Sequence, residues 1–534
     1  MVLREPVQRQ MAYLALGFFL IGMLLQLWRL EGFTASYDQA LFHQELWSAS
    51  QGHWFESTLS AELSAAVKLQ GLLPQLGYLH SSQHLNLLTQ IWFPLIPLLG
   101  IYALPLVQVG LLSGAGLMLF KLARSEGLAA PLALRICIGY YASITVIGPL
   151  LENFHDLCPI PLLGFLLIWA LRSGPLWGAL GSALLITLVR GDAGIVAFSI
   201  GLWGVMRLEG RRRWWALLVL LWSLAYVVLV TAWLQPLLGA DVNDRFMAEK
   251  FGQYLVPNQA ASGGTLGLLA ALAANPLHLL TELVTPPGRT LEYLLAPLLP
   301  LALVPLLSPD MWLLIAAPLF VALAAKGFSA LAPSLRYVLY LAPAVFAGAV
   351  LWWKGHAELF GRRWFRRLWT AAISLSLLLA LSANPHRSLS ALIPDSISPW
   401  AHASVGEQLA RRQAALAAIA VIPPQATLAA HTPLLPRLAQ RPVLLRYPFH
   451  TNYRDRDGNS QAVDWIALLP RFHRPLLAAF AEERDQLLVL RARSQQLLEG
   501  GEYGVVFCAD GAVVLRRGAS TSASQRRCFN QALR

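Results

Sequence analysis

Charged residues are scarce in this chain, because Asp, Glu, Lys and Arg together make up only 13% of its 534 residues. A water-soluble surface needs roughly a quarter of its residues charged, so most of this length is unsuited to facing water. Hydrophobic residues reach 56% and collect in runs long enough to enter a bilayer. The composition therefore argues against an ordinary soluble protein and predicts a mainly α-helical, polytopic membrane protein.

Cysteine is scarce as well, with four residues and neither a CxxC motif nor a Cys/His spacing typical of zinc. Cys137 and Cys158 lie in or beside apolar runs, where cysteine behaves as a small buried hydrophobe. Cys508 and Cys528 lie in the polar tail and could pair if that tail faces an oxidising compartment, which the sequence leaves open.

The net charge of +12 comes from basic residues that form short clusters between apolar runs. This arrangement is typical of cytoplasmic loops held against anionic lipid. Membrane lipids are therefore the expected partners, and a nucleic-acid partner is not expected.

About eleven hydrophobic spans are predicted between residues 1 and 383. A stretch at 84–105 is broken by Pro94, Pro97, Gly100 and Pro105, which predicts an interfacial or half-inserted helix. Two external segments are expected, at 31–84 and 240–288. The spans are predicted at about 11–30, 106–120, 132–150, 159–171, 176–189, 193–206, 214–236, 291–307, 311–325, 337–353 and 368–383.

The distribution of basic residues predicts the orientation of the spans. Arg4 and Arg9 precede the first span, and the segments placed inside carry more Lys and Arg than the longer external ones, including Arg211, Arg212 and Arg213. Basic loops stay cytoplasmic. The N-terminus is therefore expected inside the cell and the C-terminal domain outside the membrane.

The character of the chain changes after the last predicted span. Residues 384–399 read as a Pro/Ser-rich linker, and 400–534 as a small soluble α/β domain. Near the end, YGVVFCADGAVVLRR predicts two short strands joined by an Asp-Gly turn.

Asp38 is the most informative candidate for chemistry. An acid just outside the first span, in a loop rich in hydrogen-bonding side chains, is well placed to act as a base at the membrane surface. The alternative is a structural role, as a helix N-cap or a solvated loop carboxylate.

Further ionisable residues follow the third and fifth spans on the same predicted side. Charges near lipid are costly, so a group of them usually faces a polar cavity. Carboxylates and histidines suit acid/base roles, and arginines suit a phosphate; the alternative for Arg190 and Asp192 is a loop pair at the headgroups. The residues that map to this one face are Asp38, His84, His155, Asp156, Arg190, Asp192 and Arg336, with Glu152 beside them.

Histidines are concentrated in the first external segment, at His43, His53, His80 and His84. A divalent metal is an open alternative, but no ligand spacing specifies a site. No metal ligand and no definite cofactor are therefore assigned.

The order of these motifs resembles a known family. A span is followed by YDQALFHQELWSASQG, by His84 before a Pro-broken apolar run, by ENFHD, by RGD opening a span, by SLRYVLYLAPAVFAG and by the hairpin of the tail. This series, over about residues 15–518, resembles the prokaryotic membrane proteins of domain of unknown function 2079. That family in turn is similar to the C-type glycosyltransferases, multispan enzymes that use polyprenyl-phosphate-linked sugars.

The resemblance implies a glycosyltransferase-like protein of the prokaryotic plasma membrane, working at its external face. Asp38 would be the acid of the first external loop, with His155 and Asp156 beside it as catalytic residues. Arg190, Arg336 and His84 would bind the phosphate of a lipid-linked sugar donor.

The sequence departs from the transferase pattern at two places. Asp38 has Tyr37 and Gln39 as neighbours instead of an Asp-Glu pair, and Arg336-Tyr337 stands where His-Tyr is commoner. The alternative is a non-enzymatic membrane protein, either a transporter or a cell-envelope assembly scaffold.

Overall fold

The computed structural model describes residues 6–239, 241–255, 264–327 and 330–533. These residues form two compact units. The helical unit comprises Met1–Met23, Ser81–Thr89 and Leu106–Pro385. The sheet unit comprises Leu24–His80, Gln90–Pro105 and His386–Arg534, so the first loop and the tail belong to the same unit. Arg4, part of the topology argument, lies outside the described residues, as do 240 and 256–263 of the predicted segment 240–288.

The fold is mainly α-helical with a small C-terminal region of strands, which confirms the predicted fold class. The first helix, Pro6–Glu31, begins in the helical unit and ends in the sheet unit. The other main helices of the helical unit are Ala103–Ser125, Ala130–Tyr141, Ile144–Leu151, Ile160–Arg172, Leu176–Val189, Gly194–Arg207, Gly210–Leu229, Gly264–Ala274, Pro276–Leu283, Pro287–Leu295, Pro309–Ala324, Ala342–Gly355 and Arg363–Ser382.

Within the described residues, five helical segments are long and apolar enough to cross a membrane. A sixth is added if Ala130–Tyr141 and Ile144–Leu151, bent by 47°, form one broken span. Four shorter apolar helices fall at predicted spans; Leu176–Val189, for example, has the predicted bounds. The prediction that the chain is a membrane protein is confirmed. The count of eleven spans stays a prediction.

The predicted span at 291–307 is not one helix. The helix Pro287–Leu295 ends there, and two short 3-10 turns follow at Leu299–Leu301 and Val304–Leu307. Ala302 and Leu303 between these turns have φ of 52° and 61°. The physical reason is the prolines of this stretch, each of which lacks the N–H that a continuing helix needs.

The stretch at 84–105 is broken as its prolines and glycine predict. It consists of a 3-10 turn at Leu87–Trp92, a short helix at Leu95–Leu99 and a second 3-10 turn at Gly100–Tyr102. Gly100 ends the short helix with φ of +54°, a conformation that favours glycine. Its placement at the membrane interface stays a prediction.

Glycines allow close packing of two neighbouring helices, Gly194–Arg207 and Gly210–Leu229. A Cβ at Gly201 would lie 2.7 Å from the backbone nitrogen of Leu220, and one at Gly204 would lie 2.6 Å from the Cβ of Ala216. Small residues at a helix interface let backbones approach, which is the usual way that helices pack in lipid.

The sheet unit is built on a five-stranded mixed sheet. In the order β4-β3-β7-β9-β8, the first three strands are parallel and the last two are antiparallel to their neighbours. Three helices, Val405–Ala420, Ala481–Glu499 and Ala523–Ala532, accompany it. The strands are β1 Ser396–Ile397, β2 Trp400–Ala401, β3 Leu428–His431, β4 Leu444–Tyr447, β5 Asn452–Arg454, β6 Ser460–Ala462, β7 Trp465–Leu468, β8 Tyr503–Ala509 and β9 Ala512–Arg517.

The polar first loop protects the free edge of this sheet. Thr58 Oγ1 accepts from the N–H of Leu444 at 3.0 Å and donates to its carbonyl at 2.9 Å. Glu62 accepts from the N–H of Arg446, the next outward-facing residue of β4, at 2.5 Å. Four residues of helix rise about 6 Å and two residues of strand about 6.7 Å, so Thr58 and Glu62 match the spacing of the edge.

Gln44 fixes the loop in this position. Its carbonyl oxygen accepts from Ser57 Oγ at 2.8 Å, and its amide nitrogen donates to the Arg441 carbonyl at 3.0 Å. Gln44 is fully buried, and an unpaired buried amide would be costly. The hydrogen-bonding side chains of this segment therefore complete a fold instead of facing solvent.

The structure settles one question about the tail and confirms one prediction. Cys508 and Cys528, whose pairing the sequence left open, form a disulfide. The strands β8 and β9 are joined by Asp510 and Gly511, whose φ values of 50° and 79° are those of a tight hairpin turn.

Candidate functional site

The ionisable residues of the helical unit gather at opposite ends of its short helices. At the ends that carry Arg172 and Arg207, Glu126 binds both Arg172 and Lys354, and Arg207 pairs with Asp310. At the other ends lie the loops that contain Asp156 and Arg190. The first group contains the residues predicted to be cytoplasmic, and the second contains the candidate site.

Arg190 is the centre of the second group. It follows the helix Leu176–Val189 and is only 5% exposed. Its guanidinium donates two hydrogen bonds to Asp192, at 2.6 and 2.8 Å, and lies 3.8 Å from Asp156. It also donates to the hydroxyl of Tyr340 at 2.9 Å, and that hydroxyl donates to Asp192 at 3.1 Å. The fixed fork of an arginine suits this multiple hydrogen bonding.

Three cations surround one aromatic ring beside Arg190. The charged groups of Arg190, Lys250 and Arg336 lie 5.3, 5.5 and 5.9 Å from the centroid of Tyr337. Arg336 is tied to Glu152 twice, by its backbone N–H at 2.8 Å and by its guanidinium at 3.3 Å. We call this group the Tyr337 cluster; its members are Tyr337, Tyr340, Arg190, Arg336 and Lys250 with the carboxylates Glu152, Asp156 and Asp192.

Burial changes the proton affinities in this cluster. It raises the pKa of Asp156, although the nearby Arg190 and Arg336 partly oppose that effect. Burial also lowers the pKa of Lys250, and the positive charges of Arg190 and Arg336 lower it further. Perturbed pKa values of this kind are typical of functional sites, and an anion near Lys250 would oppose the lowering of its pKa.

His155 lies in the same loop as Asp156, but it hydrogen-bonds to the backbone of that loop and to Gln108. Its imidazole is fully buried, and Nε2 donates to the carbonyl of Pro149 at 3.2 Å. Gln108 accepts from the His155 N–H and donates to the carbonyls of Pro149 and Glu152. Within the residues described, these contacts are those of a positioning residue.

His84, the third residue assigned to the donor phosphate, contacts the segment that precedes Lys250. Its ring packs edge-on against Phe246, with centroids 4.6 Å apart. Arg245 lies over the same phenyl ring at 5.0 Å and pairs with Glu249. The structure thus brings Asp156, Arg190, Asp192 and Arg336 together, and places His84 on a neighbouring segment of the same unit.

Asp38 belongs to the sheet unit. It lies in the first turn of the helix Tyr37–Ser50, is half-buried, and follows the N-cap Ser36 instead of occupying the cap itself. A carboxylate in a first helical turn is favoured by the positive end of the helix dipole. That Asp38 meets the Tyr337 cluster, as the sequence suggests, stays a prediction.

Glu62, which the sequence did not single out, is the second notable acid of the sheet unit. It is 2% exposed, and burial raises its pKa to about 7, against the charges of Arg446 and Lys68. The Arg446 guanidinium lies 4.8 Å from the ring of Tyr37, the residue before Asp38. Glu62 is therefore a rival candidate for proton exchange, with a structural role at the sheet edge as its alternative.

No three His, Cys, Asp or Glu side chains are arranged to hold a metal ion, as far as the described residues go. The four histidines of the first external segment do not form such a group there. The divalent metal named as an alternative therefore has no ligand set among these residues.

Sequence reasoning missed Lys250, Tyr337 and Tyr340 as members of the site. The two tyrosines follow Arg336 in a 3-10 turn, Arg336–Tyr340. Their spacing of three residues places them on one face of that turn, which was a usable signal. Lys250 gave no such signal, because it was one of only two basic residues, with Arg245, in the long segment 240–288.

Apolar helices of spanning length, together with a buried cluster of charges at one end, define a multispan membrane protein with a polar site. The chain belongs to the family described as predicted membrane protein (DUF2079), whose model matches residues 26–514. This membership confirms the resemblance seen in the sequence.

No curated protein matches the chain. Among solved structures, the crystal structure of ArnT from Cupriavidus metallidurans bound to undecaprenyl phosphate is similar at 12% identity. The match covers 95% of this chain and 97% of that one, with a TM-score of 0.44.

Proposed function

We propose that this protein is a membrane glycosyltransferase that moves a sugar from a polyprenyl-phosphate-linked donor to an acceptor hydroxyl at the external face of the membrane. The observation that carries the proposal is the Tyr337 cluster, where three cations lie within 6 Å of one ring centroid. Arginine and lysine in a partly buried site are the usual partners of a phosphate.

The electrostatics of the cluster favour an anionic ligand. Burial is the main cause that lowers the pKa of Lys250, and repulsion from the positive charges of Arg190 and Arg336 lowers it further. A phosphate bound beside Tyr337 would offset this repulsion.

Asp38, the acid of the first external loop, would accept the proton of the acceptor hydroxyl. As it does so, the oxygen of that hydroxyl would form a bond to the anomeric carbon of the sugar. The bond between that carbon and the phosphate oxygen breaks, and the leaving polyprenyl phosphate carries the negative charge. Arg190, Arg336 and Lys250 would stabilise that charge as it develops.

His84 and His155 have supporting roles in this proposal. His155 would position the loop of Asp156, and His84 would pack beside the segment of Lys250. Asp156 and Asp192 would orient Arg190 toward the donor, so that its fork is already in place when the phosphate arrives.

Lys250→Met is expected to weaken binding of a polyprenyl phosphate about tenfold, since a hydrogen bond to a charged group contributes roughly 1.5–3 kcal/mol. Native mass spectrometry of the purified full chain would measure the bound fraction. Lys354→Met is the matched control, because Lys354 pairs with Glu126 in the other group of charges. That variant should bind as the wild type does.

The neutral polyprenol with the same isoprenoid chain separates phosphate recognition from lipid binding. We expect it to bind more weakly than the phosphate and to be insensitive to Lys250→Met. The phosphate site would be contradicted if the wild type binds the polyprenol as tightly as the polyprenyl phosphate. It would also be contradicted if Lys250→Met and Lys354→Met weaken binding equally. The non-enzymatic alternatives, a transporter or an envelope scaffold, would then be favoured.

A further inference from the structure

A cleft of about 320 Å³ opens in the sheet unit beside the end of the helix Tyr37–Ser50. Its walls come from that helix, from the turn that follows it and from the β5–β6 hairpin. Small-molecule sites span roughly 300–1,000 Å³, so this volume suits a ligand of one or two rings. All of its lining residues belong to the sheet unit, and none belongs to the Tyr337 cluster.

The charged side chains of the cleft are already paired with one another. Arg456 donates two hydrogen bonds to the carboxylate of Glu56, at 3.1 and 2.6 Å. His53 Nδ1 lies 3.6 Å from that carboxylate and 3.5 Å from the guanidinium. Because Glu56 offsets the charge of Arg456, an anion gains little here. The cleft therefore favours an uncharged polar ligand.

The backbone fixes the plane of the Arg456 guanidinium. Gly77 has φ of +87°, and a Cβ there would lie 3.1 Å from Nη1 of Arg456. Glycine admits the guanidinium at this close approach, and the bidentate contact with Glu56 sets its orientation. Arg456 thus offers its remaining N–H donors in a defined direction.

The other walls supply an aromatic surface and uncharged amides. Trp47 is half-buried, and Gln51 and Gln425 are exposed at the cleft. A primary amide donates and accepts hydrogen bonds, as a hydroxyl does. An indole offers a large apolar face that can cover the C–H surface of a ring. Hydroxyl groups around an apolar ring face are the chemistry of a neutral sugar.

We infer that this cleft binds a neutral saccharide of one or two rings. The inference does not rest on the proposed function, because the cleft and its contacts stand independently of the Tyr337 cluster.

Saturation-transfer NMR on the purified full chain tests the inference with defined probes. The neutral probes are glucose, mannose, galactose, arabinose, maltose and cellobiose, and the charged ones are glucuronate and glucose 6-phosphate. We expect transfer to at least one neutral probe, weakened about tenfold or more by Trp47→Ala and by the double change Gln51→Ala and Gln425→Ala. Trp400→Ala, which removes an exposed tryptophan of β2 in the same unit, should leave it unchanged.

Thermal unfolding of each variant distinguishes loss of folding from loss of binding. The double change Gln51→Ala and Gln425→Ala alters exposed side chains only and leaves the core intact. Transfer to none of the neutral probes, a stronger signal from the charged probes, or an equal signal from the cleft variants would overturn the inference. Saccharide binding by a chain that does not bind polyprenyl phosphate would support this inference and contradict the proposed function. Binding of polyprenyl phosphate without binding of any neutral saccharide would overturn this inference and leave the proposed function standing.

Discussion

Asp38→Asn is expected to lower the transferred product by about 10²–10⁴-fold, the contribution of a positioned general base. Asparagine has nearly the same shape but cannot accept the proton of the acceptor hydroxyl. Complementation of a deletion strain, followed by mass spectrometry of its glycolipids, would measure the change. The polyprenyl phosphate should still bind, because its cationic partners are unaltered.

Two matched variants make this result specific. Asp457→Asn alters an exposed carboxylate of the β5–β6 turn and should preserve product. Glu62→Gln keeps an acceptor for the N–H of Arg446 and removes the acid whose pKa is about 7. If Glu62→Gln abolishes product while Asp38→Asn preserves it, Glu62 is the base and the assignment of Asp38 is wrong.

Stability gives an independent control on Asp38. Its interaction with the helix dipole contributes about 0.3–1 kcal/mol, and thermal unfolding of Asp38→Asn would measure this contribution together with that of its other contacts. A large loss of product with a small loss of stability would then indicate chemistry instead of folding.

Arg190→Met is expected to lower the free energy of unfolding by about 3–5 kcal/mol, because removing one partner of a buried pair leaves the other charge uncompensated. The partner at risk is Asp156, which is 4% exposed. Asp192, whose side chain is 53% exposed, can be hydrated instead. Thermal or denaturant unfolding in detergent would measure the loss.

The double variant Arg190→Met with Asp156→Asn should recover much of that stability, because the buried carboxylate is then neutral. Arg172→Met is the matched control in the other group of charges, where Glu126 keeps Lys354 as a partner, so its loss should be smaller. Unfolding of Arg190→Met within about 1 kcal/mol of the wild type, below the range for a broken buried pair, would show that Arg190 does not stabilise this end of the unit.

Secondary structure could be predicted from the sequence wherever residues that are close in the chain determine it. The helix Leu176–Val189 follows an apolar run, and the β8–β9 hairpin follows its Asp-Gly turn. The sequence singled out Cys508 and Cys528 as the two cysteines of the polar tail, but it left open whether they form the disulfide. The break near Ala302 was missed, because 291–307 was predicted as one span although Pro300 and Pro305 flank the break.

Long-range pairings were not readable in the same way. The first loop looked like an exposed polar segment because Gln44, Thr58 and Glu62 are polar. Their hydrogen bonds go to the edge of β4 and the turn before it, more than 380 residues away in sequence. No local rule connects those positions. Lys250 was missed for the same reason, since only the fold brings it to Tyr337.

The proposed reaction requires Asp38 and the Tyr337 cluster to face the same side of the membrane. Single cysteines at positions 38, 192 and 211 test this, because Cys137 and Cys158 are buried and Cys508 is bonded to Cys528. A membrane-impermeant maleimide added to intact cells should label Asp38→Cys and Asp192→Cys, and should label Arg211→Cys only after permeabilisation. Labelling of positions 38 and 192 from opposite sides would contradict the shared site.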